Sequence, residues 1–154
     1  MIPPEELRYL ILAAQREGDR MLTSALRPLG LTPSQAEVLR VLQEHAPLSL
    51  AEVGELLVCE TGSPSRLVAR LVKAGLIEQR PSEADSRKVT LTLTQAGQDA
   101  ASRVAAVEAG MYATIDSLLE RNPASELIAL LRRFVEGRPA GMALARRTDR
   151  DPRA

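Results

Sequence analysis

Apolar residues return at fixed steps along most of the chain. Between residues 5 and 29, Leu7, Leu10, Ile11, Ala14, Leu22, Ala25, Leu26 and Leu29 recur every three or four positions. That is the period of one face of an α-helix. Arg16, Glu17, Asp19 and Arg20 lie on the other face, and Pro28 and Gly30 end the segment. Thr32-Pro33-Ser34-Gln35 predicts a second helix. Threonine caps it, proline suits a first position whose N–H has no partner anyway, and glutamine completes a capping box. The helix should run to about His45 and turn Ala36, Val38, Leu39, Val41 and Leu42 inward, and Pro47 prevents its continuation. Ser49 and Glu52 form a second capping box. It should open a short helix to about Leu57, burying Leu50, Val53, Leu56 and Leu57, with a turn after it. A fourth helix starts near Thr61 or Ser63 with Pro64 in its first turn. Leu67, Val68, Leu71 and Val72 face inward, and Arg66, Arg70 and Lys73 face outward. Gly75 closes it.

The period then changes. Leu76 to Arg80 reads as a short strand, and Val89-Thr90-Leu91-Thr92-Leu93 alternates apolar and polar residues as a half-buried strand does. A polar loop from Pro81 to Lys88 joins them. Thr94 caps a fifth helix over residues 95–121, with Ala100, Val104, Val107, Met111, Ile115 and Leu118 in one stripe. Asn122-Pro123 restarts a sixth, whose apolar face is Leu127, Leu130, Leu131, Phe134 and Val135. From Gly137 onward no period is visible, and residues 137–154 are expected to form a flexible tail.

This order predicts a mainly α protein with a small two- to three-stranded β wing. Residues 31–94 would form a winged helix-turn-helix module. Residues 1–30 and 95–136 would form a dimerisation region, because one chain offers little to cover their apolar stripes. In a helix-turn-helix the second helix enters the major groove with its N-terminal residues toward the bases. Here those are Thr61, Ser63, Pro64, Ser65 and Arg66, with Arg70 one turn on. Short hydroxyls allow close approach, and arginine can bind phosphate or pair bidentately with guanine. A helix with a merely solvated basic face would show the same residues.

Charge sharpens the picture only locally. The chain has 20 basic and 20 acidic residues, yet residues 61–94 hold six basic against three acidic. A DNA-contacting surface on a neutral body would look like this. No apolar run is long enough to span a bilayer, and the N-terminus lacks the pattern of a signal peptide, so a cytoplasmic location is expected. With one histidine (His45) and one cysteine (Cys59), the composition suggests neither a zinc site within one chain nor a Ser-His-Asp or Cys-His set. No glycine-rich phosphate loop occurs. An enzyme, a metal and a cofactor are therefore not expected. Aromatic residues make up 2% of the chain, too few for a stacking platform for single strands or RNA.

The wing carries Asp85-Ser86-Arg87, then five residues, then Leu93-Thr94 and Gly97. This D-x-R-x5-L-T-x-x-G spacing resembles the wing signature of the MarR family of winged helix-turn-helix regulators. The stretches from Ser63 to Leu71, from Gly75 to Arg80 and from Leu29 to Gln35 resemble the same family in the same order. The resemblance covers about residues 7–135. It implies a homodimer with both chain ends in the dimerisation region, binding a palindromic double-stranded operator, as a repressor. It implies Arg87 at the wing tip in the minor groove, oriented by Asp85, with Lys88 on phosphate. Asp85 and Arg87 would also suit a hairpin ion pair. The resemblance further implies release from DNA by a phenolic or other small molecule. Cysteine oxidation is an alternative. Cys59, just before the recognition helix, could have a lowered pKa and act as a redox sensor. However, the peroxide-sensing members carry their cysteine in the first helix, where this chain has none. A winged helix used only for protein contact is the remaining reading. Two positions depart from the family pattern: Ser86 stands where a second arginine is frequent, and Pro64 where a β-branched residue is common.

Overall fold

The computed structural model describes residues 2–59, 63–82, 85, 88–119 and 124–150. Helix α1 spans Pro3–Leu26, and a short 3-10 turn, Arg27–Leu29, follows it. Gly30 ends that turn at φ 67°, a left-handed conformation that glycine adopts without steric cost. Helix α2 is Pro33–His45 and α3 is Leu50–Leu56. Both capping boxes form as their sequences require. Thr32 Oγ1 accepts from the Gln35 amide and Ser49 Oγ from the Glu52 amide, and each N3 side chain accepts from its cap's own N–H. Helix α4 is Pro64–Lys73.

Two strands follow, β1 (Ile77–Pro81) and β2 (Val89–Leu93), paired antiparallel from Ile77 opposite Leu93 to Pro81 opposite Val89. Leu48 adds a single bridge to Leu91, so the sheet has two strands and a one-residue third edge. Strand β1 starts one residue later than the sequence suggests. The Leu76 amide is taken by the end of α4, where it donates to the Leu71 carbonyl at 3.0 Å while Gly75 donates to Val72 at 2.9 Å. This double closure, with Gly75 at φ 73°, is a Schellman motif. Helices α5 (Gln95–Leu119), α6 (Ala124–Val135) and α7 (Pro139–Arg150) complete the chain.

The main core lies between α2, α3, α4 and the sheet. Leu39, Leu42, Leu56, Leu71, Ile77 and Leu91 are sealed from solvent there. Each such side chain stabilises the fold by roughly 1.5–3 kcal/mol. A smaller cluster of Leu26, Ala36 and Val104 joins α1, α2 and α5. Two expectations need correction. Leu50 is 40% exposed rather than buried. It is the first residue of α3, and side chains there tilt toward the N-terminus, away from the row of Val53 and Leu56. The expected tail is also structured: residues 139–150 form α7, which packs on α3 and buries Ala143. The Asn122-Pro123 restart lies outside the described residues.

Thr94 and Gly97 fasten the wing to α5. Thr94 donates its hydroxyl to the Gly75 carbonyl at 2.7 Å and accepts from the Gly97 amide at 3.0 Å. A Cβ at Gly97 would stand 1.9 Å from the Leu76 carbonyl oxygen, well inside contact distance. Gly97→Ala is therefore expected to lower the urea midpoint by the equivalent of roughly 1–3 kcal/mol, the usual cost of forcing atoms into a packed site. An unchanged midpoint would show that the junction yields freely.

Candidate nucleic-acid interface

Helix α4 has two unlike sides. Leu67, Val68 and Leu71 are buried against the core. Ser65, Arg66, Ala69, Arg70 and Lys73 are exposed, and no acidic residue lies between Pro64 and Lys73. The outward face is therefore three cations and two small side chains. Its N-terminal amides and the positive end of the helix dipole add to the attraction for anions. The Ser63 side chain makes no cap; its hydroxyl instead meets that of Ser65. The Ser63 carbonyl accepts from the Arg66 and Leu67 amides at 3.0 and 3.2 Å. Pro64, expected at the interface, is half-buried and turns toward α3. Its ring lies against Gly54 of α3, where a Cβ would meet Pro64 Cγ at 3.5 Å. Thr61 lies outside the described residues.

The wing carries exposed charge of its own. Lys88 is exposed, and its amide donates to the Asp85 carbonyl at 2.9 Å. Its own carbonyl accepts from the Ser82 amide at 2.8 Å, closing the hairpin. Arg80 is exposed and pairs with Glu78 at 2.7 Å, an ion pair worth about 0–1 kcal/mol at such exposure. Arg87 lies outside the described residues, so the Asp85–Arg87 relation remains an expectation from the resemblance.

The surroundings of Cys59 disfavour its thiolate. It is exposed as a residue, yet its thiol is pushed up to about 12. Loss of water around the sulfur is the largest cause, followed by the negative charge of Glu37 and a hydrogen bond to it. The expected lowering is thus corrected. A helix N-terminus nearby counts for less than a carboxylate in contact with the thiol. Glu37 itself was not singled out in the sequence. As one acid inside α2 it looks like any solvated helix residue, yet its carboxylate accepts from the Val58 and Cys59 amides at 2.8 and 2.9 Å.

A cleft of about 860 Å³ opens between α1, the end of α3 and α7, lined in part by Gln15, Asp19, Leu22, Leu57, Met111 and Met142. Its walls mix aliphatic and polar groups. Tyr9 and Tyr112 are exposed at the surface.

A helix-turn-helix with a basic second helix and a hairpin after it defines the winged-helix class. Residues 31–97 match the family model described as "Winged helix DNA-binding domain". The chain is 33% identical over 92 residues to the organic hydroperoxide resistance transcriptional regulator of Bacillus subtilis, covering 60% of this chain and 63% of that one. It is 33% identical over 91 residues to the multiple antibiotic resistance protein MarR of Escherichia coli, covering 59% and 63%. It thus spans a little under two thirds of the length of these curated relatives. Among solved structures, a mutant MarR from E. coli complexed with operator DNA superposes with a TM-score of 0.74 at 27% identity. That match covers 84% of this chain and 94% of the other. The reduced form of E. coli MarR gives 0.69 at 26%, covering 88% and 98%. Over its winged-helix segment, and over most of its length in structure, the chain is thus similar to MarR proteins.

At about pH 8, Cys59 should react with iodoacetamide at least ~100-fold more slowly than free cysteine, because so little thiolate is present. The rate should keep rising above about pH 10. A rate that levels off below pH 9 would contradict the environment described.

Proposed function

We propose that this chain is a sequence-specific double-stranded DNA-binding transcriptional regulator, acting as a repressor from a palindromic operator. The observation that carries this reading is the outward face of α4: Arg66, Arg70 and Lys73 with no acid among them, held by a fully packed inner face. Ser63, Ser65 and Arg66 approach the base edges, Arg70 and Lys88 bind phosphate, and Thr61 adds a hydroxyl at the helix start. Arg87, oriented by Asp85, enters the minor groove, where a narrow A·T tract concentrates negative potential. The operator DNA named with the similar MarR structure supports the same reading. The similar curated proteins are named as regulators or resistance proteins, in keeping with a non-enzymatic role.

The acting form is a homodimer. Support comes from apolar residues that the single chain leaves exposed: Leu7, Leu10 and Met21 on α1, Ile115 and Leu118 on α5, Leu127, Leu130 and Phe134 on α6. The stripe on α5 is buried at Val104, half-covered at Val107 and Met111, and open beyond them. A second copy would cover it and set two α4 helices about one DNA turn apart. The cleft beside α1 and α7 is the place for a small apolar effector, phenolic in type, whose binding releases the DNA. Redox control through Cys59 is disfavoured by its raised pKa.

The test is a titration of the full-length protein against labelled duplex from the region upstream of its own gene, with a scrambled duplex beside it, at several salt concentrations. The expected result is preference for the first duplex. Arg87→Ala should weaken binding about tenfold and flatten the salt slope by about one counterion per half-site. Equal weak binding to both duplexes, unaffected by Arg87→Ala, would favour a winged helix used for protein contact.

A further inference from the structure

The C-terminal helix reaches the element that leads into α4. Arg147 of α7 donates from Nε to the Leu56 carbonyl at 2.7 Å and pairs through Nη2 with Glu37 of α2. Leu56 is the last residue of α3, so Arg147 fills one of the helix-end carbonyls that lack an internal partner. Glu37 accepts at the same time from the amides of Val58 and Cys59. One carboxylate, only 10% exposed, therefore gathers α2, the turn after α3 and α7. Charged hydrogen bonds of this kind are about twice as strong as neutral ones. Without Arg147, Glu37 would be a largely covered anion held by two amides and the Cys59 thiol with no cation beside it, a costly state.

We infer that the Glu37–Arg147 pair is a clamp that positions the recognition helix. It fixes the backbone at 56–59, and α4 departs from that backbone five residues later. Neither residue reaches the outward face of α4, so both act as positioning residues rather than DNA contacts. The inference rests on the DNA-binding reading and deepens it: α7 belongs to the reading apparatus as well as to the body of the protein. Neighbouring contacts agree in direction. Ala143 is buried on α7 toward α3, and Arg146 lies 3.5 Å from the Glu55 carbonyl.

The test uses the full-length protein with Arg147→Ala and Arg147→Lys. Amide hydrogen exchange at Val58 and Cys59 is followed without DNA, and affinity is measured on the upstream-region duplex and on the scrambled one. Arg147→Ala should speed exchange at both amides at least roughly tenfold and cut the specific-to-scrambled ratio by roughly tenfold. Arg147→Lys, which keeps a cation for Glu37, should restore much of both. Unchanged exchange, an unchanged ratio, or equal losses on both duplexes with no rescue by lysine would overturn the clamp. If the unmodified protein itself failed to prefer its duplex, the DNA reading would fail and the positioning role with it. A wild type that discriminates beside an Arg147→Ala protein that discriminates as well would sink the clamp alone.

Discussion

The carbonyl of Leu76 stands at the junction on which the reading surface depends. Its oxygen accepts from Thr94, the cap of α5, at 3.1 Å, and Gly97 approaches it more closely than any side chain would allow. One residue earlier, Gly75 turns the chain out of α4 in a left-handed conformation and lends its carbonyl to the Thr94 hydroxyl. The recognition helix, the base of the wing and the start of the long fifth helix are thus tied within one hydrogen-bonded knot. Backbone bonds are short and directional. The angle between α4 and the wing is therefore set by covalent geometry and close packing, not by surface ion pairs.

Apolar and charged residues divide the molecule in a second way. The helix-turn-helix and the sheet seal their own core, with Leu39, Leu42, Leu71 and Ile77 nearly inaccessible. The ends of α1 and α5 and most of α6 do not, and leave Leu10, Leu118 and Phe134 more than half exposed. Exposed apolar surface on this scale marks an interaction site. Between the two regions, Arg40 on α2 bonds Glu108 on α5 at 3.0 Å and Glu44 at 2.6 Å, linking the modules by part-buried charge. The cleft and α7 lie along the same border.

Much of this was legible in the sequence because local chemistry and tertiary structure agree. Thr32 with Gln35, and Ser49 with Glu52, are complete capping boxes in four residues, and both form. Gly75 closing on Val72 and Thr94 capping onto Gly97 are punctuation whose partners lie three residues away. What escaped depends on partners far away. Helix α7 has Met142 and Leu144 as its only large apolar residues, and its packing rests on Ala143 against α3 and Arg147 against Glu37, 110 positions apart. Its one local signal was Gly137-Arg138-Pro139, a glycine end and a first-turn proline of the kind read correctly at Thr32-Pro33. Glu37 gave no signal, and Cys59 gave a misleading one, because a thiol's pKa belongs to its neighbours. Leu50 shows the reverse: its type says core, but its place at a helix start turns it outward.

The central claim is that two copies of α4 and its wing read one duplex from one side. Hydroxyl-radical footprinting of the full-length protein on its upstream region tests this most directly. The account expects two symmetric protected patches, centred about 10 base pairs apart on one face, with weaker protection of the minor groove outside them where the wings lie. A single patch, or uniform protection along the duplex, would contradict it.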